Sequence, residues 1–105
     1  MDVVFKALAD PSRRRLLDRL RMDSGQTLGE LCRRMGMSRQ AVSKHLSLLE
    51  RANLVATFWR GREKLHYLNP VPINDIAERW IGQYERGRLR LLGDFKRNLE
   101  GASDG

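Results

Sequence analysis

Arg39, Gln40, Ser43, Lys44 and Ser47 are the side chains of this chain best suited to a chemical task, and the task is recognition. Arg can fork onto guanine, Gln onto adenine, and Ser or Lys can reach phosphates or base edges, which is the inventory for reading DNA directly through the major groove. On a helix of about 100° per residue these five share one side, while Ala41, Val42, Leu46, Leu49 and Ala52 fall on the other. Ser38 stands just ahead of them as an N-cap and joins the same candidate surface. A solvated helix face has a similar composition, so the surrounding elements have to decide.

Catalysis and metal chemistry find little support. An enzyme needs a nucleophile or an acid/base set in a pocket, and Ser43 and His45 lie two apart on a helix, pointing to different sides. A tight metal site wants about four N or S ligands, and the soft donors here are Cys32, His45 and His66. No catalytic residue, no metal and no cofactor are expected.

The elements that must position the basic face are legible. Thr27 and Glu30 have capping-box spacing, so a helix should start at Leu28, bury Leu31 and Met35, and stop at Gly36 in a left-handed cap. A capped helix, a Gly turn and a second capped helix over Thr27 to Leu49 form a helix-turn-helix, which places its second helix in the major groove. Upstream, Val3 to Ala9 can form a short helix. Asp10 and Pro11 then cap and open another that runs to about Met22 and buries Leu16, Leu17 and Leu20. Arg13, Arg14 and Arg15 read as solvated surface, one of them free for a phosphate or an acid of a second subunit. His45 falls amid the apolar side of its helix and reads as a hydrogen-bonded core histidine.

Downstream, Leu54 to Trp59 and Lys64 to Leu68 suit two strands, with Arg60-Gly61-Arg62-Glu63 as the turn. A hairpin directly after a recognition helix is the wing of a winged helix. Its Arg60, Arg62 and Lys64 can reach a phosphate or the adjacent minor groove. Alternation lets only one of Phe58 and Trp59 point inward; the other could meet a partner's helix, DNA backbone or a ligand.

Asn69-Pro70-Val71-Pro72 breaks the chain before a last long helix over residues 73–99, where Ile73, Ala77, Trp80, Tyr84, Leu91, Phe95 and Leu99 recur at helical spacing. At 1.5 Å per residue this helix would be roughly 40 Å long, more than the small domain before it can cover. Val4, Phe5, Leu8, Ile76, Trp80, Tyr84, Leu91 and Phe95 are therefore the expected homodimer interface, with a bend or fray at Gly87 and a loose tail over 101–105.

The 105 residues suit a single domain, 1–105, mainly α with a small β-hairpin: about five helices plus a two-stranded wing. A net charge of +7 points to a polyanionic partner, and 41% hydrophobic residues argue for a folded chain over a basic disordered tail. The opening residues lack the apolar run of a signal peptide, and no stretch has the length of a membrane helix, so the expected place is the cytoplasm. The lone Cys32 fits a reducing compartment.

Over nearly its whole length the chain resembles the ArsR family of bacterial winged-helix repressors. The resemblance rests on Ala7-Leu-Ala-Asp-Pro-Ser-Arg13, Thr27-Leu-Gly-Glu-Leu-Cys32, Ser38-Arg-Gln-Ala-Val-Ser-Lys-His-Leu46 and Gly61-Arg-Glu-Lys-Leu-His-Tyr-Leu-Asn-Pro70. It implies a homodimer that binds a pseudo-palindromic operator and represses transcription, often of its own operon. Ser38, Arg39, Gln40, Ser43 and Lys44 would then face the major groove, with Arg60, Arg62 and Lys64 in the wing. The chain departs from the family's metal sensors: Cys32 matches the first cysteine of a Cys-x-Cys pair, but Arg34 stands at the second, and the last helix holds no His or Cys. Cys32 reads instead as a small buried hydrophobe, and any effector is unidentified. The rival functions are a winged-helix module for an acidic protein and a low-specificity DNA binder, separable by salt dependence and sequence preference.

Overall fold

The computed structural model describes residues 2–83, 87, 90–93 and 97. The chain divides into two compact units, residues 1–73 and 74–105. The first contains α1 (Asp2–Leu8), α2 (Pro11–Met22), α3 (Leu28–Met35), α4 (Arg39–Arg51), β1 (Val55–Arg60) and β2 (Glu63–Leu68).

Helices α2, α3 and α4 each begin where a side chain can satisfy free N–H groups. The Asp10 carboxylate accepts from the N–H groups of Ser12 at 2.8 Å and Arg13 at 3.3 Å, with Pro11 as the first helical residue of α2. Thr27 Oγ1 accepts from Glu30 N–H at 3.2 Å, and its hydroxyl donates to the Glu30 carboxylate at 3.3 Å. Ser38 Oγ accepts from Ala41 N–H at 3.1 Å at the start of α4. Between α3 and α4, Gly36 takes φ 64°, a left-handed conformation a side chain would strain.

The core is the sum of the apolar stripes. Leu16 and Leu20 of α2, Leu31 of α3, Val42 and Leu49 of α4, and Leu54 are all fully buried. At about 1.5–3 kcal/mol for each such side chain, this cluster supplies the main drive to fold. The central helix is α2, which packs against α1, α3, α4 and β2. Cys32 is half-buried against the same cluster.

The end of α4 is set by Asn53, at φ 60°. Leu54 N–H reaches back to Leu49 O at 2.9 Å and Asn53 N–H to Glu50 O at 3.0 Å, the paired bonds of a Schellman cap, with Leu49 and Leu54 in contact beneath it. Helix α4 therefore turns straight into β1. The two strands pair antiparallel from Val55↔Leu68 to Arg60↔Glu63, which leaves Gly61 and Arg62 as a two-residue turn. Gly61 takes φ 63°, as a tight primed turn with Gly first requires.

Several expectations change. Arg13 is no solvated cation: its Nε donates to Ala7 O at 2.8 Å, its Nη2 to Lys6 O at 3.0 Å and its Nη1 to His45 Nδ1 at 3.3 Å. With Arg14 donating to Leu8 O at 2.6 Å, the two guanidiniums close the open carbonyls at the end of α1. His45 is correspondingly half-buried at the edge of the core, its Nδ1 accepting from Arg13, so its ring proton sits on Nε2. The histidine inside is His66, at 4% exposure. Neither Phe58 nor Trp59 points inward; they are 60% and 69% exposed, because both lie toward the free end of the hairpin, beyond the reach of the core.

After the hairpin, α5 spans Val71–Ile76, starting two residues before the expected point and holding Pro72 in its first turn, where a missing N–H costs nothing. Asn69 Oδ1 accepts from Val71 N–H at 3.3 Å. Ala77–Ile81 is then π-helical: Gly82 N–H bonds to Ala77 O, five residues back. The extra residue in that turn breaks the uniform α-helical period assumed for the apolar stripe. Gly82, Gln83, Gly87, Arg90 to Gly93 and Arg97 are helical. Tyr84, Phe95, Leu99 and the 101–105 tail lie outside the described residues, as do the neighbours needed to judge a bend at Gly87.

Candidate nucleic-acid interface

Burial of Val42, Leu46 and Leu49 fixes the rotation of α4 about its axis and turns Arg39, Gln40, Ser43, Lys44 and Ser47 outward, all of them exposed, with Ser38 exposed at the helix start. The helix stands as a ridge with a concavity on either flank. One, of about 630 Å³, is lined by Gln40, Lys44, Leu48 and Arg51 together with Arg39, Ser43 and Ser47. The other, of about 660 Å³, lies between α4 and the hairpin; it shares those last three residues and adds Trp59, Arg62, Lys64 and His66.

The hairpin is held in place at its base. Gln26, in the loop between α2 and α3, forms an isolated bridge with His66: His66 N–H donates to Gln26 O at 2.9 Å, and Gly25 N–H to His66 O at 2.8 Å. The His66 ring adds a second bond from Nδ1 to the same Gln26 carbonyl at 2.8 Å, which fixes its tautomer. Gln26 is itself buried at 1% exposure; its amide donates to the carbonyls of Arg19 and Asp23 at the end of α2. These bonds tie the wing to the helix-turn-helix across the sequence, and Asn69 N–H to Leu54 O at 2.8 Å closes the other edge.

Charge is arranged unevenly on this surface. Lys64 turns back from the wing, its Nζ 3.4 Å from Glu50 Oε1, and His66 Nε2 lies 4.0 Å from the same oxygen. Arg60 and Glu63 pair loosely at 3.8 Å across the turn. The acids bordering the groove thus already face cations, whereas Arg39, Lys44 and Arg62 have no ion pair among the described residues. Exposed pairs at these distances contribute little to stability, so the pattern matters for what the surface attracts.

The residues expected on the DNA face come together on α4, and Arg60 and Arg62 stand at the exposed hairpin end. Lys64 is half-buried and engaged by Glu50. The sequence reading missed Gln26, His66 and Asn53. It also left the direction of Trp59 open, although the two-residue turn sets Trp59 opposite Lys64, on the groove side, and Phe58 opposite Leu65 on the other. Of the residues expected in a dimer interface, Val4 and Leu8 pack partly against the core of their own chain, Phe5 is 40% exposed, Ile76 is half-buried, and Trp80 and Leu91 are exposed. Tyr84 and Phe95 lie outside the described residues. No helix among the described residues is long and apolar enough to cross a membrane, and no three His, Cys, Asp or Glu side chains among them gather as a metal site would require.

Comparison with known proteins agrees with this geometry. Residues 8–57 match the helix-turn-helix domain family. The uncharacterized HTH-type transcriptional regulator YuzN of Bacillus subtilis is 38% identical over 86 residues, 76% of this chain and 94% of its own. The transcriptional repressor SdpR of the same organism is 32% identical over 87 residues, 83% of this chain and 96% of its own. Among solved structures, an ArsR-like transcriptional regulator from Rhodococcus sp. RHA1 superimposes with a TM-score of 0.77 at 32% identity, covering 95% of this chain and 90% of that one. The fold and family are those of DNA-binding regulators and not of enzymes. The chain belongs to the ArsR family of winged helix-turn-helix transcriptional regulators.

Proposed function

We propose that this protein is a homodimeric repressor that binds a pseudo-palindromic operator, its own promoter among the targets. The observation that carries the reading is the outward face of α4, where Ser38, Arg39, Gln40, Ser43, Lys44 and Ser47 are exposed together and Arg39 and Lys44 have no ion pair among the described residues. Arg39 and Gln40, at the start of the helix, are the base readers. Ser43, Lys44 and Ser47 reach phosphates or flanking bases, and Arg60 and Arg62 carry the wing to the neighbouring backbone, with Lys64 holding the strand behind them. Repression is supported by likeness to SdpR, a transcriptional repressor.

A second copy completes the reading, because two recognition helices address half-sites about one helical turn apart. Supporting it are apolar side chains in the open on each unit: Val3 and Phe5 on α1, and Trp80, Leu91 and Leu92 after Ile73. Light scattering at micromolar concentration should return twice the chain mass; a monomer there removes the two-fold operator. The direct test is fluorescence anisotropy of a fragment from upstream of this protein's own gene, beside a scrambled duplex, over a series of salt concentrations. Nanomolar binding to the native fragment alone at physiological salt supports a sequence-specific autoregulator. Equal, salt-sensitive binding to both makes it a low-specificity binder, and binding to neither points to an acidic protein partner.

A further inference from the structure

The two neighbouring aromatics of β1 are not equivalent. Phe58 lies on the face of the hairpin that carries Leu65 and Tyr67, and its ring meets Tyr67 edge-on at 5.4 Å and 80°. Trp59 lies on the groove-side face, opposite Lys64, and borders the groove between the wing and α4. It is 69% exposed and has neither a ring partner nor a hydrogen bond among the described residues. The indole thus stands at the rim of a groove that is also lined by Arg39, Ser43 and Ser47 of α4 and by Arg62 of the hairpin turn.

We propose that Trp59 is a DNA-contacting residue, its indole lying against the deoxyribose and phosphodiester of the strand that passes between α4 and the wing. The proposal rests on the DNA-binding reading above and adds to it an apolar contact that the basic residues cannot supply. The electrostatics of the groove favour this occupant. Glu50 is faced by Lys64 and His66, and Glu63 by Arg60, so of the groove's unpaired cations Arg39 is left to read a base and Arg62 to meet a phosphate near the indole. A flat, rigid ring also covers sugar carbons with little loss of side-chain freedom, and an indole retains an N–H that can reach a phosphate oxygen.

A backbone contact of this kind is indifferent to base sequence, so a mixed-sequence duplex at low salt is a sufficient probe. Trp59→Ala should weaken binding to it about fivefold, with Trp59→Phe keeping most of the affinity. Because no cation is removed, the slope of log affinity against log salt should stay as it is in the parent chain, whereas Arg62→Ala should lower that slope by about one. An independent readout comes from the chain grown with 5-fluorotryptophan: of its two tryptophans, the resonance lost in Trp59→Phe should shift on adding duplex. Unchanged affinity in Trp59→Ala together with a Trp59 resonance that does not move overturns the contact while leaving DNA binding intact. No binding by the parent chain overturns the DNA reading itself, and this contact with it.

Discussion

Helix α4 and the wing both offer cations to the same groove, but they are positioned by different forces. The rotation of α4 is set by Val42, Leu46 and Leu49, side chains 0%, 3% and 0% exposed that cannot be turned outward without opening the core. The wing is held mainly at its foot, by Leu65 at 7% exposure and by the Gln26–His66 bridge, while Trp59, Arg60, Gly61 and Arg62 at its end are all exposed. Hydrophobic burial makes α4 a rigid surface, suited to base readout, where small displacements spoil paired hydrogen bonds. A few backbone and imidazole bonds make the wing an arm that can adjust, suited to phosphates, which look alike along the duplex.

The largest test of that contrast is truncation of the supports themselves. Leu49→Ala should cost about 2–5 kcal/mol, because a fully enclosed leucine leaves a cavity among α2, α3 and the Leu54 cap. Leu65→Ala, at the edge of the core, should fall at the lower end, about 2 kcal/mol. Thermal melts compare the two. Equal losses would mean that the wing foot is as integral to the core as α4 and would break the distinction.

This difference also explains what the sequence disclosed. The caps at Asp10, Thr27 and Ser38, the stop at Gly36 and the buried stripe of α4 are local: a residue type, its spacing and the next turn determine them. What the sequence concealed depends on pairs far apart. Nothing near Gln26 says that its backbone will pair with His66, 40 residues on. Nor does the Arg13-Arg14-Arg15 run reveal that two of its guanidiniums turn back to close α1, since that depends on how α1 folds over α2. His45 was misplaced for a related reason: a helical wheel gives its direction but not how far the core extends beneath it. The π-helical turn at Ala77–Ile81 has no compositional signature of the kind Gly or Pro provides.

For binding, the contrast predicts two kinds of loss. Gln40→Ala, on the rigid ridge, should reduce discrimination between operator and random duplex by about 1–3 kcal/mol. Arg62→Ala, on the arm, should weaken both complexes alike. Competition titrations against scrambled DNA read the two directly, and a uniform loss in Gln40→Ala would remove it from the base-reading set.

The junction between ridge and arm gives a smaller effect with a clear sign. Asn53 holds φ 60°, a left-handed conformation that costs an ordinary L-residue about 1–2 kcal/mol. Asn53→Val should therefore destabilise by about that amount, and Asn53→Gly should be neutral or slightly stabilising. Denaturant midpoints decide it; equal midpoints for the two variants would mean that the cap relaxes around either.

The α1–α2 corner carries a pH dependence of its own. Desolvation pushes the Asp10 carboxyl upward, but the N–H groups of Ser12 and Arg13 and the Arg13 guanidinium outweigh it and hold its pKa below the ordinary carboxylate value. A carboxyl whose pKa is lower folded than unfolded stabilises the fold fully above its unfolded value, and that contribution is lost as pH falls through the folded one. Between neutral pH and the ordinary carboxylate range the cap is therefore intact; below it, protonation weakens both the cap and the attraction to Arg13, on which the closure of α1 depends. Asp10→Asn keeps a good capping residue but removes the titration and the attraction to Arg13, so near neutral pH it should lie somewhat below the parent chain in stability, and the gap should narrow as the solution becomes acid. Melting curves of the two proteins over that range measure the difference; because every other carboxyl titrates in both, curves that stay parallel into strong acid would assign the acid sensitivity elsewhere and leave Asp10 as a hydrogen-bonding cap alone.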